Sequence, residues 1–135
     1  MELPSAIAHD VRRTQVRTDF DGARGCIAEA RQAAGAFLRH HAPPAHRTLH
    51  DDALLVVSEL VTNAVRHAPG PFVLELGLVS GGIEITVRDT SPVPPRSRTP
   101  DQTGGRGWTI VRTLARRVRV VPRHDGKSVH VELAW

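Results

Sequence analysis

Two neighbouring segments in which apolar residues alternate with other residues constrain the fold of this chain more than any other feature. They read FVLELGLVS and GIEITVRD and lie around Gly81-Gly82. A period of two places the apolar side chains on one face of a strand, and a glycine pair between two such runs is typical of a tight hairpin turn. The sequence therefore predicts an antiparallel hairpin whose apolar face must be covered by other elements.

Segments with helical periodicity can supply that cover. They span residues 23–40, 48–67 and 108–117. Further strands are predicted at residues 14–20 and on both sides of Asp125-Gly126, with Lys127 placed in the turn between the last two strands. The order β-α-α-β-β-loop-α-β-β predicts an α+β fold, a two-layer sandwich of three main helices on one mixed, mostly antiparallel sheet.

Length and composition indicate the class of protein. The 135 residues suit one domain over residues 1–135, and about 12 residues at the N-terminus are predicted to be disordered. No apolar run approaches the roughly 20 residues of a membrane span, and no secretion signal is recognisable, so a cytoplasmic protein without membrane contact is expected. Cys26 is the single cysteine, which excludes an internal disulfide and favours a small buried role.

The basic character of the chain does not by itself predict nucleic-acid binding. The net charge is +4, yet the arginines are scattered and only 4% of the residues are aromatic. Binding to single strands usually needs aromatic side chains on which bases stack. We therefore expect no direct contact with nucleic acid and keep that function as a remote third hypothesis.

A long irregular segment separates the hairpin from the third helix. Residues 90–107 read TSPVPPRSRTPDQTGGRG, with four prolines and three glycines in eighteen residues. Such a length exceeds that of a simple connector and indicates a functional loop, so residues 90–104 are predicted to form a lid.

Three groups of polar residues are candidates for a site. Glu59, Asn63 and His67 share one face of the second helix at i, i+4 and i+8, which is also the pattern of an ordinary solvated helix edge. Asp89 ends a strand where the lid begins, a place where aspartate is often only a turn residue. The sequence GGRG at 104–107 precedes a helix, and its bare backbone N–H groups suit an anion, although a flexible turn has the same composition.

Taken together, the order and spacing of SELVTNAVRHA, VRD, the lid and GGRGWTIV resemble the ATP-binding domain of the GHKL superfamily. That superfamily joins DNA gyrase, Hsp90, histidine kinases and MutL. The resemblance covers roughly residues 14–135, and SELVTNAVRH and GRGWTIV are most similar to the anti-sigma factor serine/threonine kinases. It implies the Bergerat-type ATP-binding fold, ATP and Mg²⁺ as cofactors, and a protein kinase activity.

The resemblance also implies roles for individual residues. Asn63 matches the asparagine that coordinates Mg²⁺ at the nucleotide phosphates, and Glu59 matches the general base of phosphate transfer. Asp89 matches the aspartate that pairs with the amino group of adenine. The remaining candidates would face the phosphates: His67, Gly105, Arg106 and Gly107. Two lid arginines, Arg96 and Arg98, are further candidates for phosphate or partner contact, although solvated side chains are the simpler interpretation.

Partners follow from the same resemblance. The chain would hold an RNA polymerase sigma factor, be released by a STAS-type anti-sigma-factor antagonist, and phosphorylate that antagonist on serine or threonine. Homodimerisation is in keeping with the family.

One departure from the family pattern motivates a second hypothesis, because Ser91 and Val93 stand where the family has the glycines of D-x-G-x-G. Under it, the chain is a non-catalytic anti-sigma or regulatory binding module of the same fold.

Other groups of residues are weaker candidates for a functional site. His46 and His50 have the i, i+4 spacing of metal ligands, but two such histidines beside a helix start are usually just exposed polar residues. The chain has no G-x-x-x-x-G-K-[ST] phosphate loop and no nucleophile elbow around a serine.

Overall fold

The computed structural model describes residues 15–41, 47–68, 70–95 and 107–135. The predicted hairpin is present, with strands on both sides of Ser80-Gly81. The elements in chain order are β1 (Val16–Phe20), α1 (Cys26–His41), α2 (Arg47–His67), β2 (Phe72–Val79), β3 (Gly82–Asp89), α3 (Gly107–Leu114), β4 (Arg117–Arg123) and β5 (Gly126–Ala134).

The five strands form one sheet in the order β1-β2-β3-β5-β4, and every neighbouring pair is antiparallel. Leu76 faces Ile85 across β2 and β3, and Ile85 faces Val131 across β3 and β5. Residues directly opposite each other on neighbouring strands share a face, so these three side chains point to the same side of the sheet. The register therefore gives the sheet one apolar face.

The apolar face is covered by the three helices. Helix α2 packs against β3 and β5, α1 packs against α2 and β2, and α3 packs against α2. The apolar residues that give the first two predicted helices their periodicity are buried or packed against the core: Ile27, Ala30, Ala34, Phe37 and Leu38 in α1, and Leu54, Val57, Val61, Ala64 and Val65 in α2. At the edge of the core the Phe20 and Phe72 rings stack with centroids 5.0 Å apart. This arrangement confirms the predicted α+β sandwich.

Cys26 has the small buried role that its isolation in the sequence suggested. It is 5% exposed, and its thiol donates a hydrogen bond to Asp21 Oδ1 at 3.2 Å. Burial and this hydrogen bond to the carboxylate raise the pKa of the Cys26 thiol, so the side chain stays protonated. Cys26 is thus a packing residue at the start of α1.

Two boundaries differ from the sequence prediction. Helix α3 ends at Leu114 rather than at residue 117, because Arg116 N–H donates to Glu132 O at 2.8 Å and the chain joins the sheet there. Lys127 was predicted in the last hairpin turn, which is wrong. His124 and Asp125 form that turn, and Lys127 is a buried residue of β5.

Candidate nucleotide site

A cavity of about 270 Å³ lies between α2, the adjoining ends of β3 and β5, and the segment that follows β3. Asn63 and His67 line it from α2, because residues four apart on a helix share a face. Leu60, Val87 and Val129 supply apolar walls. The volume is near the lower end of the range for small-molecule sites, about 300 Å³, so the cavity suits a flat ring system with the rest of a ligand at its mouth.

Asp89 and Lys127 form an ion pair in the wall of this cavity. Lys127 Nζ lies 2.9 Å from Asp89 Oδ2 and 3.0 Å from Oδ1, and it also donates to the carbonyl oxygen of Ser91 at 3.2 Å. The two side chains are 8% and 5% exposed. The pairing follows from the sheet register, in which Asp89 of β3 faces Lys127 of β5.

The segment after β3 is bent by side-chain hydrogen bonds. Ser91 N–H donates to Asp89 Oδ1 at 3.0 Å, and Val93 N–H donates to Ser91 Oγ at 3.2 Å. No non-glycine residue in the described part of the chain has a positive φ, so Ser91 and Val93 adopt this bend in a conformation open to any residue. Val93, Pro94 and Pro95 then line the cavity. The bend does not depend on glycines at positions 91 and 93.

Glu59 lies beside the cavity rather than in its wall. One turn before Asn63, its carboxylate sits against the backbone of Gly107, the first residue of α3. A Cβ placed on Gly107 would overlap Glu59 Oε2. The structure thus brings Asn63, His67 and Asp89 to one cavity and places Glu59 next to Gly107 at the start of the third helix.

Some predicted site residues lie outside the described residues. They are Gly105, Arg106, Arg96 and Arg98, together with His46 of the alternative metal pair. Within the described ranges, no cluster of three histidine, cysteine, aspartate or glutamate side chains could hold a metal ion.

Lys127 is the one cavity residue that the sequence interpretation assigned to the wrong place. Two features of the sequence set Lys127 apart. It is the only lysine of the chain, and it directly follows Gly126 in a strand that alternates with Val129 and Val131. The sequence did not predict that β5 pairs with β3, and only the register of that pair places position 127 opposite Asp89.

The residues of this site suit two parts of a nucleotide, the base and the metal-bound phosphates. Apolar walls and a polar pair suit a base, and the Asn63 carboxamide supplies a hard oxygen of the kind that Mg²⁺ accepts beside phosphates and water. Gly107 opens α3, so its backbone can approach a ligand or the Glu59 carboxylate closely.

Comparisons with known proteins agree with this geometry. Residues 23–135 match the model of the histidine kinase-like ATPase domain family. A search of curated protein sequences found no significant match.

Solved structures of similar fold include the RsbU and RsbW domains of Rv1364c from Mycobacterium tuberculosis. That match has a TM-score of 0.67 and 16% identity, and it covers 89% of this chain and 32% of the other. At this identity the likeness shows the fold alone. Another match is the histidine kinase domain of a blue-light-activated histidine kinase from Erythrobacter litoralis, with a TM-score of 0.46, 23% identity, and coverage of 75% of this chain and 60% of the other.

The chain therefore spans about a third of the first matching chain and three fifths of the second. The family model, in contrast, matches most of this chain. The chain belongs to the family of histidine kinase-like ATPase domains, which confirms the resemblance to the GHKL superfamily drawn from the sequence.

Proposed function

We propose that this chain binds ATP with Mg²⁺ and acts as an anti-sigma factor with serine/threonine protein kinase activity. One observation carries the proposal. Asn63 and His67 of α2 meet Asp89 of β3 in a single cavity, and Glu59 lies one helical turn before Asn63. Family membership supports a nucleotide as the ligand. The similarity of SELVTNAVRH and GRGWTIV to anti-sigma factor kinases supports the choice of branch.

The proposed roles follow the positions of the side chains. Asp89 would bind the base at the inner end of the cavity, and Asn63 and His67 would lie toward the phosphates, with Asn63 as the protein ligand of Mg²⁺. By the family resemblance, Gly107 at the start of α3, together with Gly105 and Arg106 before it, would approach the phosphates. ATP supplies the γ-phosphoryl group, and Mg²⁺ offsets its negative charge.

Glu59 is the proposed general base. Its carboxylate would take the proton of a serine or threonine hydroxyl while the hydroxyl oxygen forms a bond to the γ-phosphorus. The bond from that phosphorus to the β–γ bridging oxygen breaks, and ADP leaves. The carboxylate lies against the backbone of Gly107 at the start of α3, which supports a position close to the phosphates that this segment would approach.

The proposed partners are a sigma factor and a STAS-type antagonist, which is the phosphate acceptor, with a homodimer as the assembly and the cytoplasm as the location. The helices formed by the described residues include none with the length and hydropathy that a membrane crossing requires.

A second candidate function is a non-catalytic anti-sigma or regulatory module with weak nucleotide binding. The ion pair favours it, because Lys127 and Ser91 N–H already supply Asp89 with hydrogen-bond donors. A base gains less from a carboxylate that is already neutralised than from a free one.

The first experiment separates the two candidates by calorimetric titration of the purified chain with ATP, with and without Mg²⁺. The kinase proposal expects Mg²⁺-dependent binding that Asn63→Ala loses. Thr62→Ala is the matched control, because it shortens a neighbouring side chain of α2 outside the cavity. Absence of binding at millimolar ATP would overturn nucleotide binding and leave the partner-binding module.

The second experiment tests the general base with labelled ATP and purified STAS-domain proteins from the same genome. Glu59→Ala is expected to lower phosphate transfer by about 10²–10⁴-fold and to leave ATP affinity unchanged. Glu29→Ala, which removes an exposed carboxylate from α1, is the control. Transfer that survives in Glu59→Ala would remove Glu59 from this role.

A further inference from the structure

The proposed function uses Asp89 but gives no task to Lys127. A lysine side chain 8% exposed in the wall of a ligand cavity is uncommon, because burying an ammonium is costly unless it is paired. Here the ammonium of Lys127 is paired with the carboxylate of Asp89. The pair therefore offers a ligand a donor that the carboxylate alone does not.

The pair differs from a lone carboxylate in its hydrogen-bonding character. An ionised carboxylate only accepts hydrogen bonds, whereas an ammonium only donates them. Asp89 alone would favour an amino group on the base and oppose a carbonyl oxygen at the same place. With Lys127 Nζ 2.9 Å from Asp89 Oδ2, the cavity presents an acceptor and a donor side by side.

Purines with an amino group at carbon 6 and purines with a carbonyl group there are both complementary to such a pair. Adenine carries an amino donor at carbon 6 and a ring-nitrogen acceptor beside it, whereas guanine and hypoxanthine carry a carbonyl acceptor at carbon 6 and a ring N–H donor beside it. Either edge therefore finds one donor and one acceptor. A small shift of the ring exchanges which of the two protein groups meets carbon 6.

Lys127 has a hydrogen that can be redirected to the base. Of its three hydrogen bonds, the one to the carbonyl oxygen of Ser91 is the longest, at 3.2 Å, against 2.9 and 3.0 Å to the carboxylate. Ser91 is half-buried at the start of the segment that lines the cavity. Its carbonyl can accept from water when Lys127 turns to a ligand, while both bonds to Asp89 remain.

We propose that Lys127 is a specificity-determining residue that lets the cavity bind 6-amino and 6-oxo purine nucleotides with similar affinity. Asp89 accepts from the amino group or the ring N–H, and Lys127 donates to the ring nitrogen or the carbonyl oxygen. This inference rests on the proposed nucleotide binding. It adds that the base is weakly discriminated, with Lys127 as the cause.

The test compares ATP with inosine triphosphate, which differ at carbon 6 and in the protonation of the adjacent ring nitrogen. The dissociation constants of both are measured by calorimetry with Mg²⁺ for the unaltered chain and for Lys127→Met. The unaltered chain is expected to bind the two within about tenfold of each other. Lys127→Met leaves the carboxylate facing the base, so the ratio is expected to move toward ATP by at least about tenfold, or roughly 1.4 kcal/mol.

Arg119→Met is the matched control, because Arg119 is an exposed residue of β4. It also removes one positive charge, from β4 and outside the cavity wall, so it reports any general effect of charge on triphosphate binding. It is expected to change both affinities equally and to leave their ratio unaltered. An equal shift of the ratio in both variants would overturn the assignment to Lys127.

The comparison on the unaltered chain keeps the inference falsifiable even where Lys127→Met does not fold. A preference for ATP of more than about a hundredfold in the unaltered chain would overturn the inference and leave the proposed function standing. If neither nucleotide bound, both the inference and the proposed nucleotide binding would be overturned. Similar binding of the two nucleotides, with selectivity restored in Lys127→Met, would establish Lys127 as the residue that sets base tolerance.

Discussion

The Glu59 carboxylate occupies the space that a side chain at Gly107 would need. Glu59 belongs to α2 and Gly107 is the first residue of α3, so this contact joins two residues that are 48 positions apart in sequence. Because the contact is made by the far end of a flexible side chain, a larger residue at 107 would move the carboxylate rather than the helix. The relationship makes the position of Glu59 testable without altering Glu59 itself.

Gly107→Ala is expected to impair phosphate transfer while largely sparing stability. Alanine narrows the conformations open to the unfolded chain, which offsets part of the cost of moving the carboxylate, so the free energy of unfolding should change by less than about 1 kcal/mol. A catalytic group misplaced by about 1 Å can cost roughly 10²-fold in rate. Transfer assays with labelled ATP and urea unfolding curves measure the two effects.

Gly35→Ala is the matched control for this prediction. Gly35 lies in the interior of α1, where an added Cβ would meet only the end of the Arg39 side chain. We expect a gain in stability and no change in transfer. If Gly107→Ala behaved in the same way, the contact with Glu59 would have no role in positioning the base.

The buried pair of Asp89 and Lys127 is expected to show strong energetic coupling. Either Asp89→Asn or Lys127→Met leaves one buried charge unpaired, which typically costs about 3–5 kcal/mol. The double variant removes both charges and is expected to be more stable than either single variant. Urea unfolding of the four proteins gives the coupling free energy, and additive effects would show that the two charges do not interact.

The sequence was sufficient to predict the elements of this fold because their patterns are local. The alternation in β2 and β3 and the stripes of α1 and α2 depend only on residues near one another along the chain. These patterns correctly predicted which faces are buried. The end of α3 was placed too late, because the helical pattern continues past Leu114 while Arg116 pairs with Glu132 on another strand.

The site was predictable only in part for the same reason. Asn63 and His67 share a helix face, so their common cavity follows from spacing. The contacts of Asp89 with Lys127 and of Glu59 with Gly107 join distant elements, and only the sheet register and helix packing create them. The bend that replaces the family glycines was not predictable either, because it depends on side-chain hydrogen bonds such as the one that the Asp89 carboxylate accepts from Ser91 N–H.

Gly126→Ala is expected to be clearly destabilising. Gly126 has φ of +153°, and a Cβ there would overlap the carbonyl oxygen of Asp89 on the neighbouring strand. The backbone conformation alone costs about 1–3 kcal/mol for other residues, and the overlap adds to it by separating β5 from β3 beside Lys127. Thermal or urea unfolding measures the loss.

Gly25→Ala is the control for Gly126→Ala. A Cβ at Gly25, just before α1, meets no atom within 4 Å, so the free energy of unfolding should change by no more than about 0.5 kcal/mol. Equal effects of the two substitutions would show that the close approach of β5 to Asp89 does not constrain position 126.

His130 is expected to make the stability of the chain depend on pH. Burial lowers the pKa of His130 below its ordinary value of 6.5, and the positive charges of Arg119 and Arg88 lower it further. Nδ1 of the ring lies 3.1 Å from Thr86 Oγ1, within hydrogen-bond distance. Because the unfolded chain then binds a proton more readily than the folded one, stability is complete above pH 6.5 and falls as the pH drops toward the folded pKa.

The measurement compares urea unfolding of the unaltered chain and His130→Gln between pH 5 and pH 8, a range chosen around the ordinary pKa. Glutamine keeps a polar partner for Thr86 but does not titrate, so the variant should lose less stability as the pH falls. Burial and the facing Glu132 raise the pKa of Glu84, so at lower pH this carboxyl makes stability fall as the pH rises, opposite to His130. Both proteins contain Glu84, so its contribution cancels in the comparison. His124→Gln in the exposed β4–β5 turn is the control, and a difference between the unaltered chain and His130→Gln that stays constant across the range would refute the assignment.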